Sequence, residues 1–495
     1  MPNRRRPAAA LQRRQFLATL SLLPLTTLEG CHDDDGDTWS VPAPTSSTQM
    51  LLDWNRVAID ASGLDHTPAA AGESRSWGQQ LGPGRSSRAM AITHLAVFEA
   101  VNAIEGGYRS HVALPPARSG TSVRAAVAQA AHDTLVELFP GQRSRFSALL
   151  DGELALAPGG GALRDGIELG RLAASATLER RSGDGADHAE PVYSIDYLAD
   201  DRPGTWRQDP VSLHPLALGA SWSRVHPFVL EHAAQFRVPP PPALDSAEYA
   251  TAYAEVLRLG GDGRATPTER TLDQTRAGIY WAYDGTPSLC APPRLYNQVA
   301  VRIATARGTA GVHLARLLAL VNVGMADAAL AAWESKYHYE FWRPVTGIRE
   351  ADPGTGPSGV GDGNPATVAD TAFMPLGAPA SNLAGPNFTP PFPAYPSGHA
   401  VFGGALFQTL RRQYGTDAIA FDFVSDEYDG RTRDADGSVR PVLTRSFASL
   451  SEAEEENGQS RIYLGIHWAF DKTAGIEQGR RIADYVWERL LRAQA

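Results

Sequence analysis

The residues of this chain best suited to chemistry fall in three short segments between residues 336 and 471. They supply three permanent cations, a serine-glycine pair in front of a helical pattern, and two histidines. A compact tetrahedral oxyanion needs such a set, because charge-assisted hydrogen bonds from lysine, arginine and backbone N–H groups offset its two or three negative charges. We therefore predict one oxyanion site, formed by Lys336, Arg343, Ser397, Gly398, His399, Arg461 and His467.

The first segment carries two of the cations. Lys336 precedes Arg343 by seven residues, almost two helical turns, so the spacing predicts both side chains on one side of a helix. Pro344 disfavours continuation of that helix through Arg343. A pair of surface charges would have the same spacing, but the neighbouring aromatic residues favour burial. These neighbours are Trp333, Tyr337, Tyr339, Phe341 and Trp342.

The second segment is Pro396-Ser397-Gly398-His399, which precedes apolar residues at helical spacing. Ser397 is predicted to cap a new helix. A helix N-terminus presents unpaired N–H groups and a positive dipole, so the Ser397 hydroxyl and the Gly398 N–H suit oxyanion oxygens. A plain serine cap before a buried histidine explains this segment equally well when it is considered alone.

The third segment contains Arg461, His467 and Asp471. Six residues separate Arg461 from His467, so the two side chains would not converge on an unbroken helix. Gly465 offers a break. We predict that Arg461 ends one segment and that His467 begins another helix, with Asp471 in its first turn. Taken alone, His467 also fits a structural histidine.

The complete pattern resembles the signature shared by vanadium-dependent haloperoxidases and type 2 phosphatidic acid phosphatases. Outside the signature, the segments 333–336, 391–395 and 278–285 resemble chloroperoxidase-type members of the haloperoxidase family. The resemblance implies an all-α fold in which two four-helix-bundle halves form one catalytic unit. It also implies one vanadate per chain as cofactor, with no haem and no flavin.

The resemblance also implies a role for each site residue. His467 would bind the vanadium through a neutral ring nitrogen, and His399 would be the acid or base towards hydrogen peroxide. Lys336 would also polarise the bound peroxide so that halide attacks one of its oxygens. The vanadate oxygens would be held by Lys336, Arg343, Ser397, Gly398 and Arg461, beside His399.

Four further residues are expected around this site. Asp284 would pair with Arg461, although a surface or helix-capping role fits it as well. Asp471 would orient His467 or favour the helix N-terminus. Trp333 and Phe392 would line the halide pocket, and ordinary aromatic core is the alternative for both.

Three functions are compatible with these residues. The first is oxidation of chloride or bromide by hydrogen peroxide to hypohalous acid, which halogenates a small organic acceptor. The second is a soluble exported acid phosphatase in which His467 attacks phosphorus and His399 protonates the leaving group. The third is a surface scaffold without turnover. The long intervals between motifs favour the peroxidase, as does Phe392, where bromide-preferring relatives tend to carry histidine.

The sequence predicts that the secondary-structure elements that position these residues are mainly helices. Apolar residues at helical spacing occur in 91–101, 314–325 and 483–490, and the segments 125–138 and 163–178 are rich in helix formers. Long Pro/Gly-rich loops interrupt them, above all the four prolines at 239–242 and the stretch 353–396. We predict an N-terminal helical half at 51–240 and a C-terminal half at 241–495 that carries the site.

The N-terminal residues indicate where the protein is located in the cell. Residues 1–30 resemble a twin-arginine export signal, with Arg13-Arg14 before the apolar run 17–28, and 31–50 is a predicted polar tether. Cys31 resembles a lipoprotein site, so a periplasmic or cell-surface location is expected, with a lipid anchor as one alternative. We predict that no membrane-spanning stretch of ~20 apolar residues follows the export signal.

The net charge of -10 argues against nucleic acid as partner. The oligomeric state stays open.

Overall fold

The structure, a computed structural model, describes residues 46–494, and within them the chain is mostly helical. The predicted all-α class is confirmed, with one small antiparallel pair of strands among the helices. The helices are α1 Ser46–Asp65, α2 Gly82–Glu105, α3 Val123–Leu138, α4 Arg143–Leu156, α5 Gly161–Arg180, α6 Ala247–Leu259, α7 Leu272–Tyr280, α8 Pro292–Ala306, α9 Gly311–Tyr339, α10 Pro344–Arg349, α11 Gly398–Tyr414, α12 Leu450–Tyr463 and α13 Ala469–Arg489; the strands are β1 Phe421–Val424 and β2 Thr444–Phe447.

The predictions for residues 1–50 concern mostly residues that lie outside the part of the chain that the structure describes. The proposed export signal at 1–30, Cys31 and most of the tether lie there, so they stay predictions. The last residues of the predicted tether, 46–50, belong instead to the first turns of α1, where Met50 is buried. The apolar side chain of Met50 explains the difference, because burying it against the core stabilises a helix over a solvated tether.

Helix α9 lies at the centre of the fold. Its apolar residues at helical spacing, among them Leu317, Val321 and Met325, are all buried, and it packs against α2, α11 and α13. Contrary to expectation, α9 is long and apolar enough to cross a membrane, with a mean hydropathy of 1.6 in its best window. That window is wholly buried inside the fold, which is typical of the core helix of a globular protein.

Glycines allow the helices next to the site to approach closely. On α13, a Cβ at Gly475 would lie 2.9 Å from the Ser397 carbonyl oxygen, and one at Gly479 would overlap the Val401 carbonyl. Side chains at these positions would therefore push α13 away from the start of α11. On α5, Gly166 and Gly170 allow the same close packing against α3.

The long loops are structured. No helix or strand occurs between α10 and α11, yet 389–397 are all buried, and short bridges join Ala378 to Phe388 and Gly261 to Pro375. The described residues all fall within one compact unit. The division into halves near residue 240 stays a prediction.

Candidate active site

A small cavity of about 60 Å³ lies where the three chemical segments meet. Such a volume is large enough to hold a few water-sized groups. Of the seven residues predicted to form the oxyanion site, four line this cavity directly: Gly398, His399, Arg461 and His467. Beside this lining, Lys336 approaches the Phe392 ring, Arg343 contacts His467, and Ser397 directly precedes Gly398.

Ser397 occupies the N-cap position of α11, as predicted, but its hydroxyl does not cap the helix. Instead the Ser397 Oγ is buried with no hydrogen-bond partner. The same is true of Nε and Nη1 of Arg461, whose side chain is fully buried. An orphaned buried polar group costs about 1–3 kcal/mol, so these donors indicate a ligand that accepts hydrogen bonds.

Arg461 is fixed by its remaining nitrogen. Its Nη2 donates to both oxygens of Asp284, at 2.7 and 2.9 Å, and Asp284 also lines the cavity. Arg461 lies in the last turn of α12, and the chain then reverses through Gly465, whose φ is +72°. The predicted break is therefore where the spacing placed it.

His467 lies just before α13 rather than within it, which corrects the expectation that it begins the helix. Trp468 is the N-cap, and Asp471 lies in the first turn. The Asp471 Oδ2 accepts both the His467 Nδ1–H at 2.7 Å and the Trp468 backbone N–H at 3.0 Å. Asp471 thus orients the imidazole and satisfies the helix end, which leaves Nε2 as the acceptor nitrogen of His467.

Arg343 reaches this imidazole from the opposite side. Its Nη1 donates to His467 Nε2 at 2.9 Å and to the Ile466 carbonyl at 2.8 Å, while its Nε donates to the Phe392 carbonyl at 2.9 Å. The guanidinium is held by the loop before α11 and by the segment before α13, so it bridges two of the three chemical segments.

Lys336 and Arg343 do not share one helix side, contrary to the prediction. Helix α9 ends at Tyr339, and Glu340 adopts a left-handed conformation with φ of 49°. Arg343 then becomes the N-cap residue of α10. The reversal at Glu340, which propensity did not predict, satisfies the α9 terminus through a hydrogen bond to the Lys336 carbonyl and turns Arg343 back towards the site.

The Lys336 ammonium is completely buried and is directed at backbone carbonyls. Its Nζ donates to Pro393 at 2.9 Å, Ala394 at 2.9 Å and Pro396 at 2.5 Å. The Nζ also lies 5.1 Å from the Phe392 ring centroid. Lys336 therefore secures the loop that carries Ser397 and places its charge beside the cavity.

His399 is oriented by a carbonyl rather than a side chain. Its Nε2 donates to the Ala282 carbonyl at 2.5 Å. In a neutral imidazole this leaves Nδ1 as the basic nitrogen. The residue is buried and lines the cavity, so its base is held close to any bound anion.

Apolar side chains form one wall of the cavity. The rings of Trp333 and Phe392 meet edge to face with centroids 4.9 Å apart, and both line the cavity. The Phe392 ring lies next to two cations, because its centroid is 5.0 Å from the Arg343 guanidinium and 5.1 Å from the Lys336 ammonium.

Burial and mutual repulsion shift the ionisation of these groups. Burial, reinforced by Arg343, holds the pKa of Lys336 well below its usual value, and burial lowers the pKa of Arg343 to about 9. Burial and the neighbouring cations likewise hold the pKa of both His399 and His467 well below 6.5, so both rings are neutral near pH 7. Burial raises the pKa of Asp471 to about 7. A bound anion would offset this excess of positive charge.

Several residues at the site were not predicted from the sequence. Ala282 offers only a carbonyl, which carries no sequence signal of its own, although it lies in a segment singled out by resemblance. Pro83 and Leu218 line the mouth of the cavity and are only partly buried. Both come from far earlier in the chain, and no local pattern connects them to the chemical segments.

Comparison with known proteins shows what the chain is similar to. A sequence family described as the VCPO second helical-bundle domain matches residues 316–494. The vanadium chloroperoxidase of Curvularia inaequalis is 31% identical over 525 aligned residues, which cover 86% of this chain and 80% of that protein.

Solved structures share the fold. The crystal structure of a bacterial vanadium-dependent iodoperoxidase superposes with a TM-score of 0.69 at 24% identity, covering 91% of this chain and 98% of that one. A holo-type bacterial vanadium-dependent chloroperoxidase superposes with a TM-score of 0.61 at 16% identity, covering 82% and 92%. The helical architecture described above is therefore that of these proteins.

Proposed function

Because the chain belongs to the vanadium haloperoxidase family, we propose that it binds vanadate in the cavity beside His467 and oxidises chloride or bromide with hydrogen peroxide. One observation carries the assignment of the site: His467, with Nδ1 held by Asp471 and Nε2 left as its acceptor nitrogen, lines a cavity next to the orphaned donors of Ser397 and Arg461. A bound vanadate would take the place of the Arg343 hydrogen bond at Nε2. The hypohalous acid formed would then halogenate a small organic acceptor.

The residues present fit the cofactor. A vanadate in the cavity would accept hydrogen bonds from the Ser397 hydroxyl, the Gly398 N–H and the free nitrogens of Arg461, and His467 would supply the ring nitrogen for the metal. When bound, vanadate supplies a Lewis acid that activates peroxide without changing its own oxidation state. The neutral state of His467 suits it to metal ligation, because only an unprotonated nitrogen can donate a lone pair.

His399 is suited to move the peroxide proton. Its Nε2–H is committed to the Ala282 carbonyl, so Nδ1 is the nitrogen that accepts a proton. The low pKa of this imidazole, caused by burial and by Arg461, means that the base is present unprotonated at neutral pH. Lys336 and Arg343 would offset negative charge that develops on the oxygens.

The apolar wall is the proposed halide pocket. Trp333 and Phe392 offer a poorly hydrated surface next to two buried cations, which favours an anion that has lost part of its water. The match of Phe392 to chloroperoxidase-type relatives favours chloride as a substrate.

Phosphate ester hydrolysis is the second candidate, because the same geometry would present His467 Nε2 as a nucleophile with its Nδ1–H held by Asp471. Phosphate and vanadate have the same tetrahedral shape, so the cavity accepts either. The two functions are separated by experiment.

The test combines metal content with two activity assays. Purified protein is incubated with orthovanadate and dialysed, vanadium is measured by elemental analysis, and bromination of a phenol dye with peroxide is followed with and without vanadate. We expect close to one vanadium per chain and vanadate-dependent bromination in the wild type, and loss of both in His467→Ala. The exposed His232→Ala serves as the matched control and should retain both.

Hydrolysis of a nitrophenyl phosphate is measured in parallel. Hydrolysis that disappears in His467→Ala, without vanadate-dependent bromination in the wild type, would establish the phosphatase instead. A wild-type protein that binds a full equivalent of vanadium but shows neither bromination nor phosphate ester hydrolysis would indicate a surface scaffold.

A further inference from the structure

Residues 282–284 hold two of the proposed active-site side chains at once. The Ala282 carbonyl accepts a hydrogen bond from His399 Nε2, and the Asp284 carboxylate accepts two from Arg461 Nη2. We call these three residues the clamp. Any shift of the clamp moves both His399 and Arg461, because within residues 46–494 no other hydrogen bond holds the His399 imidazole or the Arg461 guanidinium.

The middle residue of the clamp needs external support. Tyr283 has φ of +46°, a left-handed conformation that is strained for a residue other than glycine. Its hydroxyl accepts the Asp426 N–H at 2.7 Å and donates to Gln298 at 3.2 Å. Its backbone N–H donates to the Glu427 Oε1 at 3.2 Å. The side chain and the backbone of Tyr283 are therefore both held by the segment after β1.

Glu427 is a fully buried carboxylate that does not line the cavity. Its Oε2 accepts from the Ser381 hydroxyl at 2.6 Å and pairs with the Arg440 guanidinium. Arg440 is buried too and is held in turn by Asp434 at 2.7 Å. Burying a carboxylate is costly even when it is paired. The fully buried position of Glu427 therefore indicates a role besides stability.

We propose that Glu427 is a positioning residue for the active site. It holds Tyr283 in its left-handed conformation and thereby sets the position of the clamp, which orients Arg461 and His399. A carboxyl oxygen suits this task, because the contacts of Glu427 with Ser381 and Arg440 hold the side chain in one position. The inference rests on the proposed function, since it extends the vanadate site outwards to a residue that contacts neither cofactor nor substrate.

The test measures vanadate affinity by isothermal titration calorimetry, together with bromide oxidation at saturating vanadate. Glu427→Ala is expected to raise the dissociation constant for vanadate at least tenfold, because the free nitrogens of Arg461 lose their orientation. It is also expected to lower kcat about tenfold at saturating vanadate, because His399 loses its fixed carbonyl partner.

Asp327→Ala is the matched control. Asp327 is another fully buried carboxylate of the described chain, and it accepts three backbone N–H groups, from Phe228, Val229 and Leu230, at 2.7, 2.8 and 3.0 Å. None of these residues lines the cavity. This variant should lower the melting temperature as Glu427→Ala does, while its vanadate affinity and kcat stay within twofold of wild type.

Two results would overturn the inference: wild-type affinity and kcat in Glu427→Ala, or equal losses in Asp327→Ala. Should Glu427→Ala fail to fold, Glu427→Asp keeps the charge opposite Arg440 but withdraws the oxygen from the Tyr283 N–H. It is expected to weaken vanadate binding about threefold, and unchanged binding contradicts the proposal. A wild-type protein that binds no vanadate would contradict the proposed function itself, which is a different result from any of these.

Discussion

At the scale of single residues, the site is a set of three buried cations, two of which have only neutral partners. Lys336 is directed at three carbonyls, and Arg343 at three carbonyls and an imidazole. The Asp284 carboxylate pairs with Arg461, and the Asp471 carboxylate holds the His467 imidazole. The cations therefore outnumber the carboxylates that line the cavity, and the apolar rings of Trp333 and Phe392 form one of its walls.

Phe392→His tests the halide pocket at this scale. A polar ring would keep water beside the halide and so weaken the halide as a nucleophile. Chloride would lose more reactivity than bromide because it is more strongly hydrated and harder to oxidise. We expect the ratio of kcat/KM for chloride to that for bromide to fall about tenfold, while vanadate affinity stays close to wild type. Steady-state kinetics with both halides measure the ratio.

Phe402→Leu is the control for this substitution. Phe402 also lines the cavity, and its ring is 6.3 Å from that of Trp333, but no cation lies over it among the described residues. Its loss should leave the halide ratio unchanged. An unchanged ratio in Phe392→His would remove Phe392 from the halide pocket.

At the scale of elements, the site depends on where helices stop. Helix α9 ends just beyond Lys336, α10 begins just after Arg343, α11 begins at Gly398, and α12 and α13 are separated by the turn that carries His467. Helix ends leave backbone groups unpaired, and the site collects these polar ends around one cavity. The glycines of α13 that meet α11 then keep His467 close to Ser397.

Gly465→Ala tests the turn between α12 and α13. Gly465 has φ of +72°, and a Cβ there would lie 2.4 Å from the Gly260 carbonyl oxygen. The left-handed conformation alone costs alanine about 1–2 kcal/mol, and the overlap with backbone must displace the turn. We expect a lower melting temperature and at least tenfold weaker vanadate binding, because the distance from Arg461 to His467 is set here.

Gly415→Ala separates strain from position. Gly415 ends α11 with φ of +68°, but a Cβ there would meet no atom within 4 Å. This variant should lose stability through the backbone conformation alone and should bind vanadate as the wild type does. Comparable loss of vanadate binding in both variants would show that the turn at Gly465 has no special role.

At the scale of the whole molecule, buried neutral histidines link stability to pH. His94 on α2 is buried, with Nδ1 donating to the Met90 carbonyl at 2.7 Å and Nε2 beside the Asn55 side-chain amide. Burial lowers the pKa of His94 to about 4, from 6.5 for an exposed imidazole. The unfolded chain therefore takes up a proton that the folded chain excludes as the pH falls from 6.5 towards 4.

The expected result is a loss of stability in mild acid. Between pH 7 and pH 5, His94 alone should lower the free energy of unfolding by about 2 kcal/mol, and the loss continues until the pH reaches the folded-state pKa. Urea denaturation at both pH values measures it. The loss should shrink in His94→Gln and persist in the exposed control His232→Gln; an identical pH dependence in His94→Gln would contradict the shift.

Local patterns determined much of this protein in advance. Apolar spacing placed α2, α9, α11 and α13, because a helix buries one face whatever its neighbours are. The residue types at Lys336, Ser397 and His467 indicated an oxyanion, because few other ligands need buried cations beside a helix N-terminus. Gly465 marked the break that its conformation requires.

Only the tertiary structure decided how these pieces meet. The reversal at Glu340 brought Arg343 to His467, and the spacing rule for one helix failed there because the helix ended first. The carbonyl of Ala282 and the support from Glu427 depend on contacts between residues far apart in the chain, as does the mouth at Leu218. Such contacts follow from how whole helices and loops pack, so no local pattern encodes them.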